Sequence, residues 1–214
     1  MRFLPLLTAV ALGAALGVFS RLTDRFADAE SLGGTAVRGL GNAPTLWLIT
    51  AFVVGYLCRS LIAAAFLATV SLAIAVAVYY FLIDMAGERE GVDLVRVATG
   101  WLAVAAVSGP VFGAAGAACR AGGWRAVLGA VVVSSSIAGI GLFVIADRLE
   151  YWPNSDTEVT FGALQFAAGL FAGPLLVRGL AARISVLCWS AILSVAAAAI
   201  TFVTLGLMRA LFNA

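Results

Sequence analysis

Seven stretches of this chain contain no charged residue: Phe3 to Ser20, Leu40 to Cys58, Leu61 to Ile83, Val97 to Cys119, Ala126 to Ala146, Val159 to Val177 and Ile184 to Met208. Each is close to the roughly 20 residues that a helix needs to cross a hydrocarbon core of about 30 Å. Inside hydrocarbon every backbone polar group must be satisfied by the segment itself or by a closed barrel, and continuous rather than alternating apolar runs select the helix. The expected fold class is therefore all-α, a polytopic transmembrane helix bundle of seven spans, with six as the alternative. Composition agrees, since 63% of residues are hydrophobic and only 11% charged, against about 25% charged in soluble domains. The second run is the weakest, because its strongly apolar part begins only at Pro44, which suits the first turn of a helix.

The first run also has the outline of a signal peptide, with Arg2 ahead of an apolar stretch and small residues near Ala15. Ala9, Gly13 and Gly17, spaced four apart, form instead a small-residue ridge suited to close helix contact, so the run is expected to be retained.

Charge placement orders the runs. All eleven acidic residues fall in three connections, Asp24 to Glu30, Asp84 to Asp93 and Asp147 to Glu158. The alternate connections are short and hold Arg59, then Arg120 and Arg125, then Arg178 and Arg183, with no acid. Assigning these Arg-only turns to the cytoplasm places the N-terminus inside and the C-terminus outside a plasma (cell inner) membrane. Trp47, Tyr79, Tyr80, Trp101 and Trp152 then mark one interface, and Trp124 and Trp189 the other. The organisation is one integral domain, 1–214, of three hairpins (1–59, 60–120, 121–178) and a final helix (184–211). Leu22, Phe26 and Ala29, at helical spacing beside Arg21, Arg25 and Asp28, suggest a short surface helix after the first span, ended by Gly33 and Gly34.

Residue usage excludes several chemistries. Every basic residue is Arg, and histidine is absent. With no Lys there is no Schiff base and hence no retinal; with no His there is no imidazole ligand for a metal or haem. No cofactor and no metal site is expected, and the scattered Arg residues do not suit nucleic acid. Cys58, Cys119 and Cys188 lack metal or disulfide spacing and read as reduced, packed thiols. The acidic stretch Asp84 to Asp93 is interspersed with Arg89 and reads as a solvated loop rather than a metal site. No catalytic motif or paired carboxylate pattern is present, so catalytic residues are expected to be none and a lipid-modifying enzyme is the weakest reading.

What remains is polar groups and helix breakers within the spans. Ser108-Gly109-Pro110-Val111-Phe112-Gly113 in the fourth run and Gly169, Gly173 and Pro174 in the sixth serve either as kinks lining a cavity or as close-packing contacts. Ser134, Ser135 and Ser136 in the fifth run and Gln165 in the sixth either orient a ligand or bond a neighbouring helix. The ligand reading expects a cavity in the outer half, between the fourth and sixth spans, with Trp101, Ser108 and Gln165 facing it and Ser135 as a further contact.

The segment Leu40-Gly41-Asn42-Ala43-Pro44 leading to Trp47 and Arg59, then Tyr79-Tyr80, Trp101-Leu102 and Gly109-Pro110-Val111-Phe112-Gly113, resembles a family of uncharacterised actinobacterial membrane proteins of unknown function, over residues 8 to 178. More remotely, the hydrophobic helix set with tiny inner loops is similar to the substrate-binding S components of energy-coupling-factor transporters. Those have six spans, and their Ala-rich first helix docks on a coupling subunit, which would give Ala9, Ala11 and Ala15 that role. The expected function is a small-molecule-binding or transport-associated membrane protein. The alternative is a non-catalytic membrane subunit or scaffold. Expected partners are the lipid bilayer and either membrane subunits or an ATPase module.

Overall fold

The computed structural model describes residues 4–24, 44–87, 93–151 and 156–213. These are helical apart from short turns, in seven helices: α1 Leu4–Asp24, α2 Pro44–Leu57, α3 Leu61–Ala86, α4 Leu94–Ala121, α5 Gly123–Tyr151, α6 Asp156–Leu175 and α7 Leu180–Asn213. Five of them, α1, α3, α4, α5 and α7, are long and apolar enough to cross a membrane, as those of a membrane protein are. The other two account for the difference from seven. Helix α2 starts at Pro44 rather than Leu40 and has 14 residues, a rise of about 21 Å. Helix α6 carries Asp156, Glu158 and Gln165 along its 20 residues, which dilute its hydropathy.

Local chemistry sets the helix ends. Asp93 Oδ1 accepts the Arg96 backbone N–H at 3.0 Å, capping α4. Asp93 is exposed and sits just before the first residue of this helix. Helix α3 ends at Gly87 in the left-handed region (φ 64°), whose N–H donates to the Asp84 carbonyl. Arg120 donates from one guanidinium nitrogen to the Tyr56 and Leu57 carbonyls at 3.2 and 3.1 Å, closing the open end of α2. Arg183 Nε likewise donates to the Val177 carbonyl at 3.3 Å, just beyond α6. Two of the turn arginines, Arg120 and Arg183, therefore satisfy carbonyls at or just beyond helix C-termini.

The chain forms two compact units, Met1–Arg120 and Ala121–Ala214. In the first, α3 is the pivot. Gly13 and Gly17 of α1 lie against the Ser71 and Ala75 carbonyls of α3, so the expected ridge of Ala9, Gly13 and Gly17 is the face α1 buries. The register rises in both helices together, so α1 and α3 run parallel. Gly109 of α4 abuts Thr69, and Gly113 abuts Ala64 and Ala68, so α4 runs antiparallel to α3. Gly55 of α2 meets the Gly113 backbone, and Gly116 meets Phe52 and Tyr56. Three helices thus meet backbone to backbone around Gly113, an approach only a residue without Cβ allows.

Helix α1 also runs further than its apolar stretch. Arg21, expected on a surface helix, is instead a helical residue of α1 with 7% exposure, between buried Ser20 and Thr23. Tyr79 of α3 donates a hydrogen bond to the Asp24 carboxylate. Phe26, Ala29, Gly33 and Gly34 of the expected surface helix lie outside the described residues.

In the second unit α5 lies against both other helices. Gly141 of α5 meets Gly162 and Phe166 of α6, Ala138 meets Gly169, and Ser134 meets Gly173. Rising numbers on one helix pair with falling numbers on the other, so α5 and α6 are antiparallel. Gly139 meets Ser194, Ala197 and Ala198 of α7, and the Phe143 and Phe202 rings lie edge-on at 6.2 Å, so α5 and α7 are parallel.

Candidate functional site

Trp101 and Ser108 belong to the first unit and Ser135 and Gln165 to the second. On α4, Trp101 is half-buried and the Ser108 hydroxyl donates to the Val104 carbonyl one turn back at 2.8 Å. Helix α4 continues through Pro110, and both glycines of the Gly-Pro segment are closed against α3. In α6, Pro174 is the penultimate residue, and the Leu176 N–H turns back to the Gly173 carbonyl at 2.9 Å. Helix packing and helix termination account for both Gly-Pro pairs.

The second unit holds a concentrated polar interior. Ser134, Ser135, Gln165, Ser190 and Ser194 are all buried. Gln165, at 8% exposure, sits three residues after Gly162 and four before Gly169, so it shares the α6 face that packs on α5. On α7 the buried residues Val186, Ser190 and Ser194 make a single stripe at four-residue spacing. Gly173 meets both Ser134 and Val186. Advancing along α7 from that contact, Ser190 lies about level with Gly169, and Ser194 about level with Gln165. All five side chains therefore occupy a band about two helical turns deep, near the middle of α5.

Their hydrogen bonds divide them. Ser134 donates to the Gly169 carbonyl across the α5–α6 interface. Ser135 and Ser194 turn back on their own helices, to the Val132 carbonyl at 3.3 Å and the Ala191 carbonyl at 2.8 Å. Ser190 is fully buried, and its hydroxyl has no hydrogen-bond partner among the described residues. A buried hydroxyl left without a partner loses roughly 1–3 kcal/mol relative to water, which is the condition a bound polar group relieves. The sequence reading missed Ser190 and Ser194. Their signal was Val186, Ser190 and Ser194 recurring every fourth residue in an otherwise apolar run, overlooked beside the Ser134-Ser135-Ser136 cluster.

The band is chemically neutral. Hydroxyls and a primary amide donate and accept, but nothing among them is a base able to activate a nucleophile. No group of three or more potential metal ligands occurs among the described residues. Asp147, expected in an acidic outer loop, is instead a residue of α5 with 9% exposure. The helix outruns the apolar stretch by more than a turn. Cys58 and Cys119 are buried and Cys188 is exposed, none of them in a disulfide, and Cys58 Sγ lies 3.4 Å from the Val54 carbonyl.

No curated protein and no solved structure matches this chain. Residues 2–208 match a family of unknown function, and the chain belongs to that family, DUF6518.

Proposed function

We propose that this protein is a multi-pass membrane protein that binds, or takes part in transporting, a small neutral or weakly polar molecule through the polar band of its second unit. The observation that carries the reading is the fully buried Ser190 hydroxyl, which has no partner among the described residues, set in a band with Ser134, Ser135, Ser194 and Gln165. Ligand sites are mostly apolar with a few convergent polar groups, and this interior has that balance. Trp101 and Ser108 stay in the proposal as residues of the first unit, without a role in the band.

The proposal includes the seven-span topology, N-terminus inside and C-terminus outside, in the cell membrane. In its support, α3 runs parallel to α1 and antiparallel to α4, α5 runs antiparallel to α6 and parallel to α7, and the Arg-only turns lie opposite the acidic ends. Helix α2 crosses with local thinning of the bilayer, which costs fractions of a kcal/mol per Å of mismatch. The likeness to transporter S components belongs to this reading as well. Ala11 and Ala15 of α1 are exposed and available for docking, whereas Ala9 is buried. The use of Arg to the exclusion of Lys and the Ala-rich composition suit a high-GC genome and an actinobacterial source.

A second reading, a non-catalytic subunit, is favoured by α7, whose buried stripe is narrow and whose remaining faces present Ile192, Val195, Ile200 and Val203 outward. The two readings part on one experiment. Native mass spectrometry of the purified protein should show a discrete bound small molecule, absent from Gln165→Leu and Ser190→Leu variants that still elute as folded protein. The same bound masses in wild type and both variants, or none in wild type, would remove the binding reading and leave the subunit reading in front.

A further inference from the structure

The band leaves one end of the second unit unexplained. Helices α5 and α7 are parallel and both begin at this end, where α6 finishes. Their first turns and the α6–α7 connection carry Arg125, Arg178 and Arg183, all exposed. The acidic residues of the unit, Asp147, Glu150, Asp156 and Glu158, lie at the other end, around the α5–α6 connection. No carboxylate pairs with the three arginines among the described residues. Arg125 stands over the Trp124 ring at 5.9 Å, Arg183 holds the Val177 carbonyl through Nε alone, and Arg178 makes no contact of this kind. Positive charge without counter-charge is repulsive within the unit and is relieved by an anion from outside. The N-terminal ends of α5 and α7 add their own positive partial charge there.

The surroundings specify which anion. Trp124, in the first turn of α5, is 69% exposed, and Leu180 and Ile184, in the first turns of α7, are exposed as well. A free phosphate ion would gain nothing from these apolar side chains. An anionic phospholipid brings a phosphate for the guanidinium groups and glycerol and upper acyl carbons for Trp124 and Leu180, and an indole at the interface is placed for this. We infer that this end of the second unit is a binding surface for anionic phospholipid headgroups, with Arg125, Arg178 and Arg183 as its phosphate-contacting side chains. The inference rests on the reading that the helices span a bilayer, and is independent of the polar band.

The test uses the full chain in phosphatidylcholine vesicles containing about one-tenth of either brominated phosphatidylglycerol or brominated phosphatidylcholine. The Trp124 contribution to fluorescence is taken as the difference from a Trp124→Phe variant. Phosphatidylglycerol should quench it more strongly than phosphatidylcholine at equal mole fraction. Each arginine near an anionic surface contributes roughly a fivefold preference. Arg178→Gln, which removes no internal contact, should therefore lower the preference about fivefold, Arg125→Gln with Arg178→Gln about 25-fold, and only the triple variant with Arg183→Gln should bring the two lipids level. Arg96→Gln, at the start of α4, should change nothing. Equal quenching by both lipids in the wild type overturns the inference, as does displacement by millimolar inorganic phosphate, which would make the site one for the free ion. Equal quenching together with retention of an acidic protein partner would reassign the surface to that partner. Flotation separates the levels: a chain that fails to float with pure phosphatidylcholine vesicles refutes the membrane reading itself, whereas one that floats without lipid preference refutes only the headgroup surface.

Discussion

Replacing Gly113 by Ala tests whether backbone contact organises the first unit. A Cβ built at Gly113 would lie 2.7 Å from the Ala68 Cβ and 2.9 Å from the Ala64 carbonyl carbon, closer still to the Ala64 oxygen. Gly55 already presses on Gly113 from α2, so α4 can retreat from α3 only by giving up its packing on α2 as well. The obstructing atoms are backbone and Cβ, which have no rotamer to change. The helices must separate by a sizeable fraction of an ångström, and a radial gap of 0.5–1 Å forfeits a quarter to a half of each dispersion contact along the seam. Overpacking of this kind costs about 1–3 kcal/mol, and rigid neighbours on both sides argue for the upper half, about 2–3 kcal/mol. At about 2–4 °C per kcal/mol for a chain of this size, the unfolding midpoint in mild detergent should fall by roughly 5–10 °C. Gly206 supplies the opposite sign. It lies in α7 with nothing within 4 Å of a built Cβ, so Gly206→Ala should stabilise by about 0.5–1 kcal/mol through helix propensity alone. A fluorescence-monitored thermal melt of both variants checks this. A Gly113→Ala protein melting with the wild type, or a Gly206→Ala protein melting below it, would refute the assignment of these contacts.

Three further outcomes are expected. Gln165→Leu should leave the melting midpoint equal or higher while abolishing any bound small molecule, because interhelical polar contacts in membranes average only about 0.6 kcal/mol; a clear drop in midpoint would mean that the amide is structural. In folded protein a membrane-permeant maleimide should modify Cys188 and spare Cys58 and Cys119, with all three reacting after denaturation, as mass spectrometry would show; rapid modification of Cys58 would contradict its burial. Reporters fused after Arg59, Arg120 or Arg183 should read cytoplasmic, and those after Glu88, Pro153 or the C-terminus external, an external signal at Arg120 being the result that reverses the orientation.

Helical class was legible because hydrocarbon permits so few backbone solutions: an unbroken charge-free run of about 20 residues must be a helix if it is to cross at all. The α1 ridge of Ala9, Gly13 and Gly17 was legible for a related reason, since small residues every fourth position can do little except admit another backbone. Helix ends were less so. Asp24, Asp84 and Asp147 are polar and read as loop, yet α1 extends to Asp24 and α3 and α5 run on through Asp84 and Asp147, because at a helix end the backbone gains its hydrogen bonds whatever the side chain.

The uses of the polar and glycine residues were decided only in three dimensions. Whether Gly109 and Gly113 mark a kink or a seam depends on Thr69, Ala64 and Ala68, some forty residues earlier and placed there by the antiparallel turn of α4 on α3. Whether a serine is satisfied depends equally on its neighbours: Ser108 finds the Val104 carbonyl, Ser134 the Gly169 carbonyl, and Ser190, of the same residue type and in an equally apolar run, has none among the described residues. Composition and periodicity follow from what solvent demands of each segment separately, so the sequence by itself determined that these are apolar helices. Hydrogen bonding and close contact are relations between segments, and only the tertiary register decided them.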